Sequence, residues 1–188
     1  MRLFVAVALP PEVASAAFAL LPEVPALRRV RPDLLHVTLA FLGTVDDARL
    51  DEVIAAAADA ADGQPAFRVS LDSLGRFPPG GSPTVAWLGI GQGASEMTTL
   101  AATVYRTLAA RSLPFDAKPF RPHVTLGRVR ENADHAEVRA VAAALARGRV
   151  PRLDFNADAI SVVESRLSSK GPRYTARAVI PLSGGGKT

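Results

Sequence analysis

The tetrapeptide His-Val-Thr-Leu occurs twice, as His36-Val37-Thr38-Leu39 and as His123-Val124-Thr125-Leu126. Each copy reads as a strand, and each is followed by a segment of helical spacing, residues 46–61 after the first and 134–146 after the second. A chain that repeats strand and helix around one motif points to a duplicated fold, with two halves related by an approximate two-fold axis. The strand period of two then sets the geometry. His36 and Thr38 point to one face while Val37 and Leu39 point to the other, and the same holds for His123 and Thr125. If the halves pack about the axis, the two His-Thr pairs face each other across a cleft.

The rest of the chain fits this frame. Strands are expected at residues 3–9, 35–42, 67–74, 84–90, 123–129, 153–163 and 174–182. Helices are expected at 11–21, from the Thr44 or Asp46 cap to about 61, at 95–111 and at 134–146. Residues 22–32, 76–83 and 114–122 are rich in proline or glycine and read as loops. Strands and helices mix without strict alternation, so the fold class is α+β. The expected architecture is bilobal, with two mainly antiparallel sheets about the pseudo-two-fold axis, helices outside and a central cleft. Residues 1–182 are expected to form one domain, with residues 183–188 expected as a disordered tail. The tail ends in GGGKT, which resembles a phosphate-binding loop but lacks its first glycine and its following helix.

Composition narrows the chemistry. With 188 residues, 48% of them hydrophobic, the chain can bury a sizeable core. It has no cysteine, which removes disulfides, thiolate zinc sites and thiol nucleophiles. This suits a cytoplasmic protein, and no targeting segment or membrane span is read, so the chain is expected to act intact from Met1, as a monomer. The net charge is +4, with 19 Arg against 3 Lys. Arginine forks match phosphate oxygens, although a GC-rich genome yields the same composition.

Two of the three histidines occupy the same position of the repeated motif. Two imidazoles across a cleft suit in-line displacement at phosphorus. One takes a proton from the attacking water and the other gives one to the leaving oxygen. Two unperturbed imidazoles centre a bell-shaped pH profile near about pH 6–7. The threonine hydroxyls can hydrogen-bond phosphate oxygens as charge builds there. A zinc site needs a third or fourth ligand, and His135 is expected at a helix start away from the pair, so no metal and no cofactor are expected. No G-x-S-x-G elbow is present.

The paired motifs resemble the 2H phosphoesterase superfamily, and within it the RNA 2',3'-cyclic phosphodiesterases, also called 2'-5' RNA ligases. The likeness runs through RLFVAVALPPEV, LLHVTLAFLG, RFPPGGSPTVAWLG, FRPHVTLGRVR and ESRLSSKGPRYT, in that order. It implies a metal-independent hydrolysis of RNA ends carrying a 2',3'-cyclic phosphate to a 2'-phosphate. It makes His36 the proton donor to the 3' oxygen and His123 the base. Thr38 and Thr125 then hold phosphate, and Arg128 matches an arginine frequent in the family. On an ideal strand Arg128 points away from His123 and needs a bulge to reach the cleft. Phe41 matches an aromatic of the family pattern that could line the cleft, but it shares parity with Val37 and Leu39 and is expected in the core. Trp87 and Phe77 are candidates either to stack a base or to pack in the core. Ser165 and Tyr174 are expected to hold structure. Ligation of a cyclic phosphate to a 5'-hydroxyl is the alternative reaction, and a nucleotide-binding module without turnover is the alternative class.

Overall fold

The computed structural model describes residues 1–21, 23–169 and 171–182; the expected tail and its GGGKT lie outside them. The strands are β1 (Arg2–Ala8), β2 (Leu27–Arg29), β3 (His36–Thr44), β4 (Phe67–Phe77), β5 (Val85–Ile90), β6 (His123–Val129), β7 (Leu153–Ala157), β8 (Ala159–Ser168) and β9 (Gly171–Pro181). The helices are α1 (Pro11–Leu20), α2 (Leu50–Ala61), α3 (Ala94–Ala110) and α4 (His135–Arg147). No described helix is long and apolar enough to cross a membrane.

Every pairing is antiparallel, in the order β7-β4-β5-β6-β3-β1-β8-β9, with β2 added beside β6. The two expected sheets are therefore the two halves of one, β7-β4-β5-β6 and β3-β1-β8-β9. They are joined at a single registered pair, Val37 with Val124. These are the same position of the two tetrapeptides, so the approximate two-fold axis passes between them. Both valines are fully buried. Antiparallel register and strand parity then put His36, Thr38, His123 and Thr125 on the opposite face, with each histidine beside the other motif's threonine.

The helices cover only the valine face, and each half takes two. α2 packs on β8 and β9, and α3 packs on α2 and β3; α4 packs on β4, and α1 on β7. The crossovers are exchanged. α1 leaves β1 in one half and packs on the other, and α3 leaves β5 and does the reverse. Apolar residues at helical spacing make this possible: Val53, Ala57 and Ala60 on α2, and Met97, Leu100, Val104 and Leu108 on α3, are buried to within about 1% exposure. Asp46 caps the short turn Asp47–Arg49 that leads into α2 by accepting from the Ala48 amide, and Asp134 and Glu137 form a reciprocal capping box on α4.

Three expectations needed correction. Residues 22–32 are not all loop, because Leu27 is buried and draws β2 into the sheet beside β6. The expected loop at 76–83 begins late, since β4 pairs with β5 through Phe77. The run 153–163 is not one strand. It breaks at Asp158 into β7, which pairs with β4, and β8, which pairs with β1, so a single residue carries the chain from one half to the other.

Candidate active site

The uncovered face of the sheet holds a cavity of about 570 Å³ whose walls include His36, Thr38, His123, Thr125, Arg128, Phe41, Ser165 and Tyr174. The four motif residues expected to meet across a cleft do so. Ser165 reaches it by the simple parity of β8, opposite to that of Ile160 and Val162, whereas Phe41, Arg128 and Tyr174 arrive by slips in the ladder.

Phe41 and Arg128 depend on two bulges. On β3, Ala40 pairs with Val5 and Thr38 with Ala6, which leaves Leu39 unmatched. On β6, Gly127 pairs with Ala86 and Thr125 with Trp87, which leaves Leu126 unmatched. The extra residue is thus the leucine of each tetrapeptide. Two consecutive residues then face the core, Leu39 with Ala40 and Leu126 with Gly127. The alternation is reversed beyond them. Phe41, expected in the core, therefore lies on the cleft wall, and Arg128 arrives there by the bulge it required.

Tyr174 and Ser165, expected to serve structure only, face each other across the β8–β9 ladder on the cleft wall. Tyr174 stands edge-on to His36, with centroids 5.5 Å apart, and Phe4 stacks on the same imidazole at 4.8 Å. Phe4 was not among the candidate site residues. Its parity in β1, opposite to Leu3, Val5 and Val7, is the sequence signal that marks it. On the other side Phe77 meets His123 edge-on at 5.2 Å, and Trp87 packs against Phe77 at 5.3 Å. Neither lines the cavity. Trp87 lies flat on the sheet, where a Cβ at Gly75 would overlap its ring. Its role is to back Phe77, and through it His123.

Both imidazoles are oriented by backbone. The Nδ1–H of His36 donates to the Leu34 carbonyl at 2.7 Å, and that of His123 donates to the Arg121 carbonyl at 2.6 Å. A carbonyl can only accept, so Nδ1 keeps its proton and Nε2 is the nitrogen that exchanges one. The Nε2 of His36 lies 2.9 Å from the Thr38 hydroxyl. Among the described residues His123 makes no such bond to Thr125.

Burial pushes the His36 imidazole below its ordinary value; the Leu34 carbonyl works against this, and the charge of His123 adds to it. Burial likewise lowers His123, opposed by the Arg121 carbonyl and reinforced by the nearby Arg128. Burial raises the Tyr174 phenol, while Arg128 and Arg2 pull it back. Burial thus favours two neutral imidazoles, and an incoming anion favours protonating one of them.

Five arginines line the cavity: Arg2, Arg28, Arg29, Arg31 and Arg128. Arg29 is held by Glu23 and by the Phe18 carbonyl, and Arg31 by Asp33. Arg2 lies over the Phe41 ring, 4.9 Å from its centre. Among the described residues Arg2, Arg28 and Arg128 form no ion pair with a carboxylate. No group of three or more His, Cys, Asp or Glu side chains among them is arranged to hold a metal ion.

Residues 10–168 match the family model of the 2'-5' RNA ligase superfamily. The chain is 34% identical over 178 residues to an Archaeoglobus fulgidus protein named RNA 2',3'-cyclic phosphodiesterase, covering 93% of this chain and 96% of that one. A Thermus thermophilus protein of the same name is 32% identical, covering 98% of this chain and 91% of that one. Among solved structures, a protein of Thermus thermophilus superposes with a TM-score of 0.79 at 30% identity, over 98% of this chain and 99% of that one. Escherichia coli LigT complexed with 3'-AMP superposes at 0.75 with 26% identity, over 97% and 98%.

Proposed function

This chain belongs to the 2'-5' RNA ligase superfamily, and we propose that it hydrolyses 2',3'-cyclic phosphates at RNA ends to 2'-phosphomonoesters, with two histidines and no metal. The relatives named RNA 2',3'-cyclic phosphodiesterase support the reaction class. The complex of Escherichia coli LigT with 3'-AMP supports a nucleotide end as the ligand.

His123 acts as the base. Its Nε2 takes a proton from water as the water oxygen bonds to phosphorus. His36 acts as the acid. Its Nε2 gives a proton to the 3' oxygen as the bond from phosphorus to that oxygen breaks. The phosphate remains on the 2' oxygen. His123 has gained one proton and His36 has lost one, so protons and charge balance. Thr38, Thr125 and Arg128 bind the non-bridging oxygens, where negative charge grows in the transition state. Each imidazole contributes on the order of 10²–10⁴-fold.

The observation that carries this reading is the matched pair of Nδ1–H bonds to backbone carbonyls, which commits both Nε2 atoms to proton exchange on the wall of one cavity. Arg128 supports the division of roles. Its charge favours neutral His123, the form a base needs. The donor set supports metal independence, since the two histidines have no third ligand among the described residues.

End-phosphate analysis of a short RNA bearing a 2',3'-cyclic phosphate tests the reaction. The expected product is a single 2'-phosphate. A 3'-phosphate would reverse the orientation of the ribose, and a mixture would end the assignment of separate roles. Joining to an added 5'-hydroxyl RNA in place of hydrolysis would make the enzyme a ligase.

A further inference from the structure

β2 is three residues long and pairs only with β6, and its central residue, Arg28, is registered directly opposite Arg128. Both side chains are exposed and both line the cavity. Directly opposed residues on neighbouring antiparallel strands have Cβ atoms about 4.5–5.5 Å apart, and like charges in that position repel. The neighbouring arginines are handled differently. Arg29 has Glu23 and Arg31 has Asp33, while Arg28 and Arg128 share a place in the ladder without a carboxylate among the described residues. Two arginines registered opposite one another on the cavity wall supply two guanidinium forks for anions.

The two arginines do not stand equally close to the histidines. The charge of Arg128 is felt at His123 on its own strand and at Tyr174 across the cleft. Arg28 lies one strand further out, on β2, which runs beside the end of β6 remote from the His123 position. One phosphate between the histidines engages Arg128. On the hydrolase reading Arg128 is taken by that phosphate, which leaves Arg28, one strand further out, to meet a second anion further along the same polymer.

We infer that Arg28 binds the phosphodiester immediately upstream of the terminal nucleotide, so that the cleft selects oligonucleotide ends over free mononucleotides. This inference rests on the hydrolase reading, and it adds a substrate class. An exposed arginine fork opposite Arg128 captures the upstream phosphate, and the energy appears in binding. Ground-state and transition-state complexes gain equally, because the upstream phosphate carries the same charge in both.

The test compares Arg28→Ala and Arg28→Lys with the wild-type chain on two substrates: a short RNA ending in a 2',3'-cyclic phosphate, and a nucleoside 2',3'-cyclic phosphate. Arg28→Ala is expected to raise KM for the RNA on the order of tenfold, as loss of a charge-assisted contact does. The nucleoside substrate should change less than about twofold. The slope of log kcat/KM against log salt should fall by about 0.7 for the RNA only, the single-strand value for one phosphate contact. Arg28→Lys should recover part of the affinity and the whole salt slope. Equal losses on both substrates would place Arg28 on the scissile phosphate and overturn the inference, and no loss on either would overturn it too. Binding of a labelled RNA with a plain 3'-phosphate end is measured in parallel. If the wild-type chain turned over neither substrate, yet Arg28→Ala still weakened that binding about tenfold, the hydrolase reading would fail and the upstream-phosphate site would stand. If the wild-type chain turned over neither substrate and binding did not depend on Arg28, both would fall.

Discussion

The half of the cleft around His36 and the half around His123 share one plan and differ at one informative position. In each, a histidine gives its Nδ1–H to a backbone carbonyl two residues upstream. In each, the leucine of the tetrapeptide bulges and turns a later residue into the cavity. That residue is Phe41 on the His36 side and Arg128 on the His123 side. The sheet therefore supplies two equivalent proton-exchanging nitrogens, and the residue behind each bulge makes them unequal. Burial favours the neutral form of His123, and the cation beside it, Arg128, reinforces this. His36, packed between Phe4 and Tyr174, is likewise pushed toward the neutral form, chiefly by burial. An anionic phosphate then meets different opposition at the two sites. At His36 its charge raises the proton affinity against burial and the other imidazole, whereas at His123 a permanent cation, Arg128, offsets it. On the proposed mechanism, a symmetric scaffold thus serves as an acid on one side and a base on the other.

The strongest way to break this comparison is to remove either imidazole. His36→Ala and His123→Ala should each lower kcat by about 10²–10⁴-fold. The double variant should be little worse than the weaker single one, as for groups that act as a unit. Steady-state kinetics on the cyclic-phosphate RNA reads this out, and near-normal kcat in either single variant would refute the pair.

A milder change makes the two halves alike. Arg128→Phe gives the His123 side the residue that the His36 side carries. Loss of a contact to phosphate should lower kcat/KM on the order of tenfold. The pH profile carries the sharper information. The base works when neutral, so a lowered proton affinity keeps it active further into acid. Burial and Arg128 both lower His123, and the acidic limb of kcat/KM should therefore lie below the ordinary histidine value of about 6.5. Arg128→Phe removes the cation, raises the affinity of His123 for its proton and moves that limb to higher pH. A limb that stayed in place, or moved lower, would show that Arg128 does not set the base. The smallest expected effect is none at all: excess chelator should leave kcat unchanged, and loss restored by added zinc or manganese would shift the mechanism to metal-assisted hydrolysis.

Much of this was legible in the sequence because the motif is short, repeated and built on strands. Period two alone places His36 with Thr38 and His123 with Thr125, and the structure brings all four to one cavity. Parity fails wherever the ladder slips. A bulge is a property of two strands in register, and nothing in HVTLAFLG or HVTLGRV marks the leucine as the extra residue. Phe41 was therefore expected in the core. The break at Asp158 does leave a mark, since the buried apolar positions are odd-numbered through Ala157 and even-numbered from Ile160, so the alternation changes phase where the partners change halves. Tyr174 shares parity with the core-packed Ala178 and Ile180 and reaches the cleft because the ladder slips at Arg177. β2 was missed because three residues are too few to show a period. The pH expectation of two unperturbed imidazoles gave way to two lowered ones, since burial arises from the packed fold.

The division of labour is tested most directly by a substrate whose leaving oxygen needs no proton. A 3'-deoxynucleoside 2'-(4-nitrophenyl phosphate) loses nitrophenolate, which departs without help from an acid. With this substrate the deficit of His36→Ala should shrink to within about tenfold of the wild-type rate. His123→Ala should keep its loss of about 10²–10⁴-fold, because water must still surrender a proton. Rescue of His123→Ala with persistent loss in His36→Ala would contradict the account and exchange the two roles.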